Sequence, residues 1–172
     1  MKQITNIYII ADSSFRMQRN KERLQTILNK YARVLNLEKG KANLHIIGYN
    51  DKAKILSPFK RITTNGNPNL GEGLKMLESV IKYQRKYDEK QTRSIFILHG
   101  GDTALQGWNA PLERLFNLKE FALGYRYVVQ YGTPDKYAKQ VYTRFTDSND
   151  KILSYFSENR LTSLLSSIRR VI

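Results

Sequence analysis

The sequence predicts a doubly wound, Rossmann-like α/β domain with a mostly parallel sheet, helices on both faces and one antiparallel edge strand. Apolar runs at residues 7–11 and 95–98 have the length of strands that are buried on both faces. Between such runs, apolar residues recur at spacings of three and four, which indicates amphipathic helices. The 172 residues, 41% of them hydrophobic, are enough for a single domain over residues 1–172 with a substantial core.

The strand at residues 5–11 is expected at the centre of this sheet, followed by a helix over 19–37. The strands at 42–49 and 53–57 are joined by the turn at Asn50 and Asp51. Because this turn is too short for a crossover, the pair is expected to be antiparallel, with 53–57 at an edge. The later elements are a loop at 63–69, a helix from Leu70 to about residue 85, a strand at 94–98, a helix at 110–121, a strand at 125–131, a helix at 135–145, a strand at 152–155 and a final amphipathic helix.

Asp12, Ser13 and Ser14 follow the first strand directly, at the sheet edge where open α/β folds place their ligands. This segment resembles the first signature of the von Willebrand factor type A family, Asp-x-Ser-x-Ser after a strand. Asp12 and Ser14 match the first two ligands of that family's metal site. Arg16 stands where the second serine belongs.

Two further segments resemble the remaining type A signatures. Residues 67–74 are similar to the second signature, with Pro68 at the position of the ligand threonine. Residues 95–101 are similar to the third, with Gly100 at the position of the ligand aspartate. The C-terminal part, with Asp147 before residues 151–153, is similar to bacterial members of the tellurite-resistance type.

The resemblance implies a non-enzymatic protein-interaction module, a bacterial or phage adaptor in a larger assembly. Its partner is expected at the carboxyl edge of the sheet, on the loops 12–17, 65–69 and 99–105, which we call the crown. The predicted binding residues are Asp12, Ser14, Arg16, Asn67, Pro68, His99, Gly100 and Asp102.

The changes at three ligand positions predict no resident metal ion and at most weak Mg²⁺ binding. Hard cations need several oxygen ligands, and Pro68 and Gly100 supply none from their side chains. Arg16 is expected to pair with Asp12 in place of the ion, unless it is simply exposed at a helix start with Asp12 as a cap. Asp102 is expected to cap the next turn, although it is also the first candidate for a replacement ligand.

The formal net charge of +14 makes nucleic acid the alternative partner class to an acidic protein. The cations occur one at a time along the helices and form no dense block, which also fits an ordinary solvated surface. A further alternative is base stacking or partner anchoring by Tyr83 and Tyr87, beside three cations. Cysteine is absent, and no apolar run approaches the length of a membrane span, so a cytoplasmic protein is expected.

No set of residues predicts catalysis. Asp12, Glu72 and Asp102 have no adjacent nucleophile and base, and helix capping explains them equally well. His45 lies in an apolar strand and is expected in the core or at its edge. His99 ends a strand beside two glycines, so it is expected to face the loop surface. The glycine pairs lack the spacing of dinucleotide- or phosphate-binding motifs.

Overall fold

A six-stranded sheet forms the centre of the protein. The computed structural model describes residues 4–36, 40–57, 59–87, 93–147, 151–154 and 158–171. Its strands are β1 (Thr5–Asp12), β2 (Ala42–Tyr49), β3 (Ala53–Ile55), β4 (Arg93–Gly100), β5 (Tyr125–Gln130) and β6 (Ile152–Ser154). Their order is β3-β2-β1-β4-β5-β6, with only β3 antiparallel to its neighbour. The predicted fold class, the inner position of β1 and the antiparallel edge strand are confirmed; Tyr155, predicted in the last strand, lies outside the described residues.

Helices cover both faces of the sheet. They are a 3₁₀ helix (Phe15–Asn20), α1 (Lys21–Asn36), α2 (Leu70–Arg85), α3 (Asn109–Phe116), α4 (Lys119–Ala122), α5 (Lys136–Thr146) and α6 (Glu158–Val171). The prediction of one helix over 110–121 is wrong, because the chain divides there into α3 and α4. Leu118 has an extended backbone, with φ −90° and ψ 125°, and its side chain is buried in the core between the two helices.

Side-chain alternation along β1 divides the core into two layers. Ile7 and Ile9 pack with α1 and α6 on one face, whereas Tyr8 and Ile10 pack with α2 to α5 on the other. All eight residues of β1 are buried, which explains the uninterrupted apolar run from Ile7 to Ala11.

The end of β1 is fastened to the loop before α2 by backbone hydrogen bonds. Asn65 N donates to Ser13 O at 3.0 Å, and Phe15 N donates to Gly66 O at 3.0 Å. Leu105 N, in the loop after β4, donates to Pro68 O at 3.2 Å. The three segments of the crown are therefore neighbours in space, as the sequence predicted.

Candidate functional site

Asp12 lies at the bottom of the crown, where β1 ends, and it is fully buried. Its Oδ1 accepts a hydrogen bond of 2.8 Å from the backbone N–H of Ser14. The N–H and the hydroxyl of Ser13 both donate to Tyr49 O, at 2.8 and 3.0 Å. This local bonding turns the chain sharply after the strand and fixes the Asp12 carboxyl beneath the loops.

Two oxygens at this point lack hydrogen-bond partners of ordinary geometry in the described part of the chain: Asp12 Oδ2 and Ser14 Oγ. Burial raises the pKa of Asp12 from 3.8 to about 6; hydrogen bonding from Ser14 and the nearby Gly101 N–H opposes this rise, and the Asp102 charge adds to it. The carboxylate therefore sits in a poorly solvated place, where its charge is unfavourable without a partner.

The predicted pairing of Arg16 with Asp12 is wrong. Arg16 is exposed, and its guanidinium carbon lies 5.0 Å from the centroid of the Phe15 ring. Its charge acts on Asp135 before α5, where it helps to lower the pKa of that carboxyl, although the Ala138 N–H is the main cause. The Asp12 carboxyl is fully buried at the bottom of the crown. Arg16 extends over the outer surface of the crown and cannot reach it.

Asn67 and Pro68 have structural contacts in the crown. The Asn67 amide and backbone N–H donate to Asp51 Oδ1 at 2.9 and 3.3 Å, so this side chain is held by the β2–β3 turn. Pro68 is buried, and its carbonyl accepts from both Leu70 N and Leu105 N. Pro68 thus joins two loops with its backbone and offers no side-chain ligand.

The place of the missing aspartate at Gly100 is filled by Tyr142 of α5. A Cβ at residue 100 would overlap the Tyr142 hydroxyl and lie 2.5 Å from its Cζ. The Tyr142 hydroxyl donates to Gly101 O at 2.6 Å. Burial raises the pKa of this hydroxyl well above its ordinary value, and the Asp12 charge adds to the effect, so it remains a donor. The sequence placed Tyr142 within the helix predicted at 135–145 and gave no signal for this role.

Asp102 is placed near Asp12, but its side chain does not cap a turn. The Asp102 carbonyl accepts from Asp135 N at 2.7 Å, which joins the loop after β4 to the start of α5. Its Oδ1 is buried and has no hydrogen-bond partner among the residues that the structure describes. The predicted capping of the next turn by the Asp102 side chain is therefore wrong, and Asp102 Oδ1 is a third oxygen without a described partner in this region.

His99 does not face the loop surface, so that prediction is wrong. It is fully buried, with Nδ1 2.9 Å from the Tyr131 hydroxyl and Nε2 3.2 Å from the Tyr31 hydroxyl. A neutral imidazole satisfies both contacts by donating with one nitrogen and accepting with the other. Burial lowers its pKa from 6.5 to about 3. His99 thus joins α1, β4 and the end of β5 beneath the crown.

Replacing His99 with glutamine is expected to remove a source of acid sensitivity. The folded-state pKa lies below the ordinary value, so the wild type loses stability as the pH falls and the unfolded chain takes up the proton. Relative to His99→Gln, its free energy of unfolding should drop by about 3 kcal/mol between about pH 6.5 and pH 4. Urea titrations at several pH values measure this, and a constant difference would contradict a buried neutral imidazole.

The donor set does not fit a divalent cation of the type A kind. Asp12 and Ser14 retain oxygens without partners, but Tyr142 occupies the space at Gly100, and Pro68 is apolar. Within the described ranges, no cluster of three or more histidine and acidic side chains could hold a metal. Mg²⁺ gives up its water reluctantly and takes oxygens in octahedral geometry, which these few groups do not supply.

The sequence matches no protein-family model and no curated protein. Among solved structures, it is similar to a von Willebrand factor type A protein from Catenulispora acidiphila, with a TM-score of 0.70 and 10% identity over 96% of this chain and 42% of that chain. It is also similar to manganese-loaded TRAP from Plasmodium vivax, with a TM-score of 0.70 and 13% identity over 95% of this chain and 72% of that one.

A third similar structure is the mussel byssus protein PTMP1 with a zinc-occupied MIDAS motif, at a TM-score of 0.65 and 11% identity. The match covers 97% of this chain but 45% of PTMP1, so the chain spans less than half the length of that protein. At these identities the likeness shows the fold alone. The chain has the von Willebrand factor type A fold. No helix in the described ranges has the length and apolar character needed to cross a bilayer.

Proposed function

We propose that this type A domain is a non-enzymatic protein-interaction module, an adaptor that binds its partner through the crown without a metal ion. The proposal rests on exposed apolar side chains whose backbone is held in place by hydrogen bonds between the crown loops. Phe15 is 50% exposed and Leu105 is 41% exposed. Their N–H groups donate to Gly66 and Pro68, two residues apart, so the same segment holds both in place.

The composition of this surface suits a protein partner. Aromatic residues and arginine are the side chains that most often dominate interface energetics, and Phe15 carries Arg16 over its ring. Because the backbone is already fastened across three loops, little conformational entropy is lost on binding. The exposed guanidinium favours a partner with an acidic group at this point.

The polar groups of the crown support binding rather than catalysis. The imidazole of His99 is buried between two tyrosine hydroxyls, which removes it as a general base for a substrate on the surface. Asp12 is buried, and its Oδ1 accepts a hydrogen bond from the Ser14 N–H.

A triple alanine variant tests the crown. Phe15→Ala, Arg16→Ala and Leu105→Ala together are expected to abolish capture of the native partner from a lysate of the source cells. The matched control exchanges an aromatic residue, a cation and a leucine at the opposite edge of the sheet: Tyr83→Ala, Lys86→Ala and Leu123→Ala. All six side chains are exposed.

The control should capture the same partner as the wild type, as judged by quantitative mass spectrometry. Loss of capture in the control alone would move the binding surface to the other edge. Unchanged capture by the crown variant would reject the proposed function.

A further inference from the structure

Ion pairs are distributed unevenly between the two faces of the sheet. On the face covered by α2 to α5, cations are paired with carboxylates at 2.5 to 3.1 Å: Lys75 with Glu72, Lys82 and Arg114 with Glu78, Arg85 with Glu120, and Arg144 with Glu113. Five cations of this face are therefore neutralised by neighbouring acidic side chains.

The opposite face, covered by α1, has few acidic neighbours. Residues 13–61 contain twelve Lys and Arg against three Asp and Glu, a formal charge of +9 out of the total of +14. Arg61 and Glu22 form an ion pair at 3.8 Å, between side chains that are each 81% exposed. The cations of this segment that make no ion pair with any described residue are Arg16, Arg19, Lys21, Lys30, Arg33, Lys52, Lys54 and Lys60.

Local contacts bring many of these cations onto one surface. Residues 60–64 lie along the 3₁₀ helix and α1, because Ile62 N donates to Gln25 Oε1 at 2.8 Å and the Thr64 hydroxyl donates to Gln18. Lys54 points to the same side of the sheet, since it pairs with Gly48 and lies two residues before Leu56, which packs in the α1 layer. We define the basic face by these members: Arg19, Lys30, Arg33, Lys54 and Lys60.

The exposed positions of α1 whose side chains the structure describes are polar or charged. They are Glu22, Arg23, Thr26, Lys30 and Arg33. A stable protein interface normally has a buried aromatic or aliphatic centre, which these five positions do not supply. A line of separated point charges instead matches the regular phosphates of a nucleic-acid duplex.

We propose that the basic face binds duplex nucleic acid through its phosphate backbone, without reading the base sequence. Each Lys or Arg that contacts a phosphate releases counterions, so binding is driven by salt-sensitive electrostatics. The basic face lies on the side of the sheet, whereas the crown lies at its carboxyl edge. A protein partner and a duplex can therefore be held at once, and the two activities are separable by mutation.

The test measures fluorescence anisotropy of a labelled random DNA duplex of about 25 base pairs, with salt titrated from about 50 to 300 mM. The face variant carries Arg19→Gln, Lys30→Gln, Arg33→Gln and Lys60→Gln. The control variant carries Lys86→Gln, Lys119→Gln, Lys136→Gln and Lys139→Gln, four exposed cations of the other face without ion pairs among the described residues. Both variants have a formal charge of +10, four fewer than the wild type.

The face variant is expected to bind about tenfold or more weakly, with the log–log salt slope reduced by about 2 to 4. The control should remain close to the wild type. Equal weakening of both variants would show a diffuse charge effect and overturn the proposal. Absence of wild-type binding to the duplex at low salt would also overturn it, including the case in which only phosphatidylserine vesicles or polyglutamate bind.

A footprint on the wild type keeps the test decisive if the face variant fails to fold. With the duplex bound, acetylation of Lys30 and Lys60 should slow by a larger factor than acetylation of Lys136 and Lys139, measured by mass spectrometry. Equal protection of the two pairs, or none, would overturn the basic face as the binding site. Failure of the crown variant to capture protein leaves this result unaffected, because the crown residues are not among those changed.

Discussion

Replacing Gly100 with aspartate, the residue that the type A signature would place there, is expected to destabilise the protein by about 3 kcal/mol or more. A Cβ at this position lies 2.5 Å from Tyr142 Cζ, inside the van der Waals contact distance. The Tyr142 ring is buried and its hydroxyl is bonded to Gly101 O, so it cannot move aside freely. The new carboxyl would also be buried close to Asp12.

Urea unfolding of Gly100→Asp, Gly100→Ala, Tyr142→Ala and the double variant Gly100→Asp with Tyr142→Ala separates the causes. The alanine variant should share much of the loss, because the Cβ itself produces the overlap. In the Tyr142→Ala background, the aspartate should cost less by at least about 1 kcal/mol, since neighbouring residues do not contribute additively. Strict additivity, or a Gly100→Asp protein as stable as the wild type, would contradict the filled ligand position.

The second large effect is a pH-dependent gain of stability in Asp12→Asn. The asparagine oxygen can still accept from Ser14 N, but it carries no charge. The folded-state pKa of Asp12 is about 6, above the ordinary 3.8, so ionisation opposes folding as the pH rises. Between about pH 4 and pH 7, the wild type should lose about 2 kcal/mol of unfolding free energy relative to this variant.

Asp135→Asn is a control of opposite sign. Its carboxyl accepts from Ala138 N at 2.8 Å, and this bond keeps the pKa of Asp135 below its ordinary value. Wild-type stability relative to Asp135→Asn should therefore fall as the pH is lowered. His99 is present in the wild type and in both variants, so its titration cancels from each difference in stability. A difference between the wild type and Asp12→Asn that does not change with pH would mean that the Asp12 carboxylate is well solvated or neutralised by a cation.

The fold was predictable because its signals are local. Buried parallel strands require apolar runs, and the short turn at Asn50 and Asp51 requires an antiparallel pair. The division between α3 and α4 was not predictable, since it depends on the burial of Leu118 in a core formed by distant elements. Periodicity identifies an element more readily than its interruption.

The candidate site was predictable only in part, for the same reason. Asp12 and Ser14 were found because they follow a strand directly. The role of Tyr142 was missed, since it reaches Gly101 from 41 residues along the chain. His99 was placed wrongly because adjacent glycines suggested a surface loop, whereas Tyr31 and Tyr131 enclose it from two other elements. Long-range contacts of this kind leave no spacing pattern.

We propose a type A fold whose carboxyl-edge loops bind a protein partner through exposed side chains. The group that would have been the acidic metal ligand is replaced by a glycine packed against Tyr142. Asp12 remains as a buried carboxyl with an unpaired oxygen, and Asp102 supplies a second such oxygen nearby. These two carboxyls are the groups through which a divalent ion would show itself if the site still bound one.

The absence of a divalent cation site is tested most directly by thermal unfolding of the wild type in millimolar Mg²⁺ or Mn²⁺, compared with the same protein in chelator. A ligand that binds only the folded state must raise the midpoint of unfolding. We predict the same midpoint with each ion and with chelator, because the remaining oxygens do not form a divalent site. A rise of several degrees that Asp12→Asn abolishes would contradict the account and show that the crown binds metal, with Asp102 as the first candidate for the additional ligand.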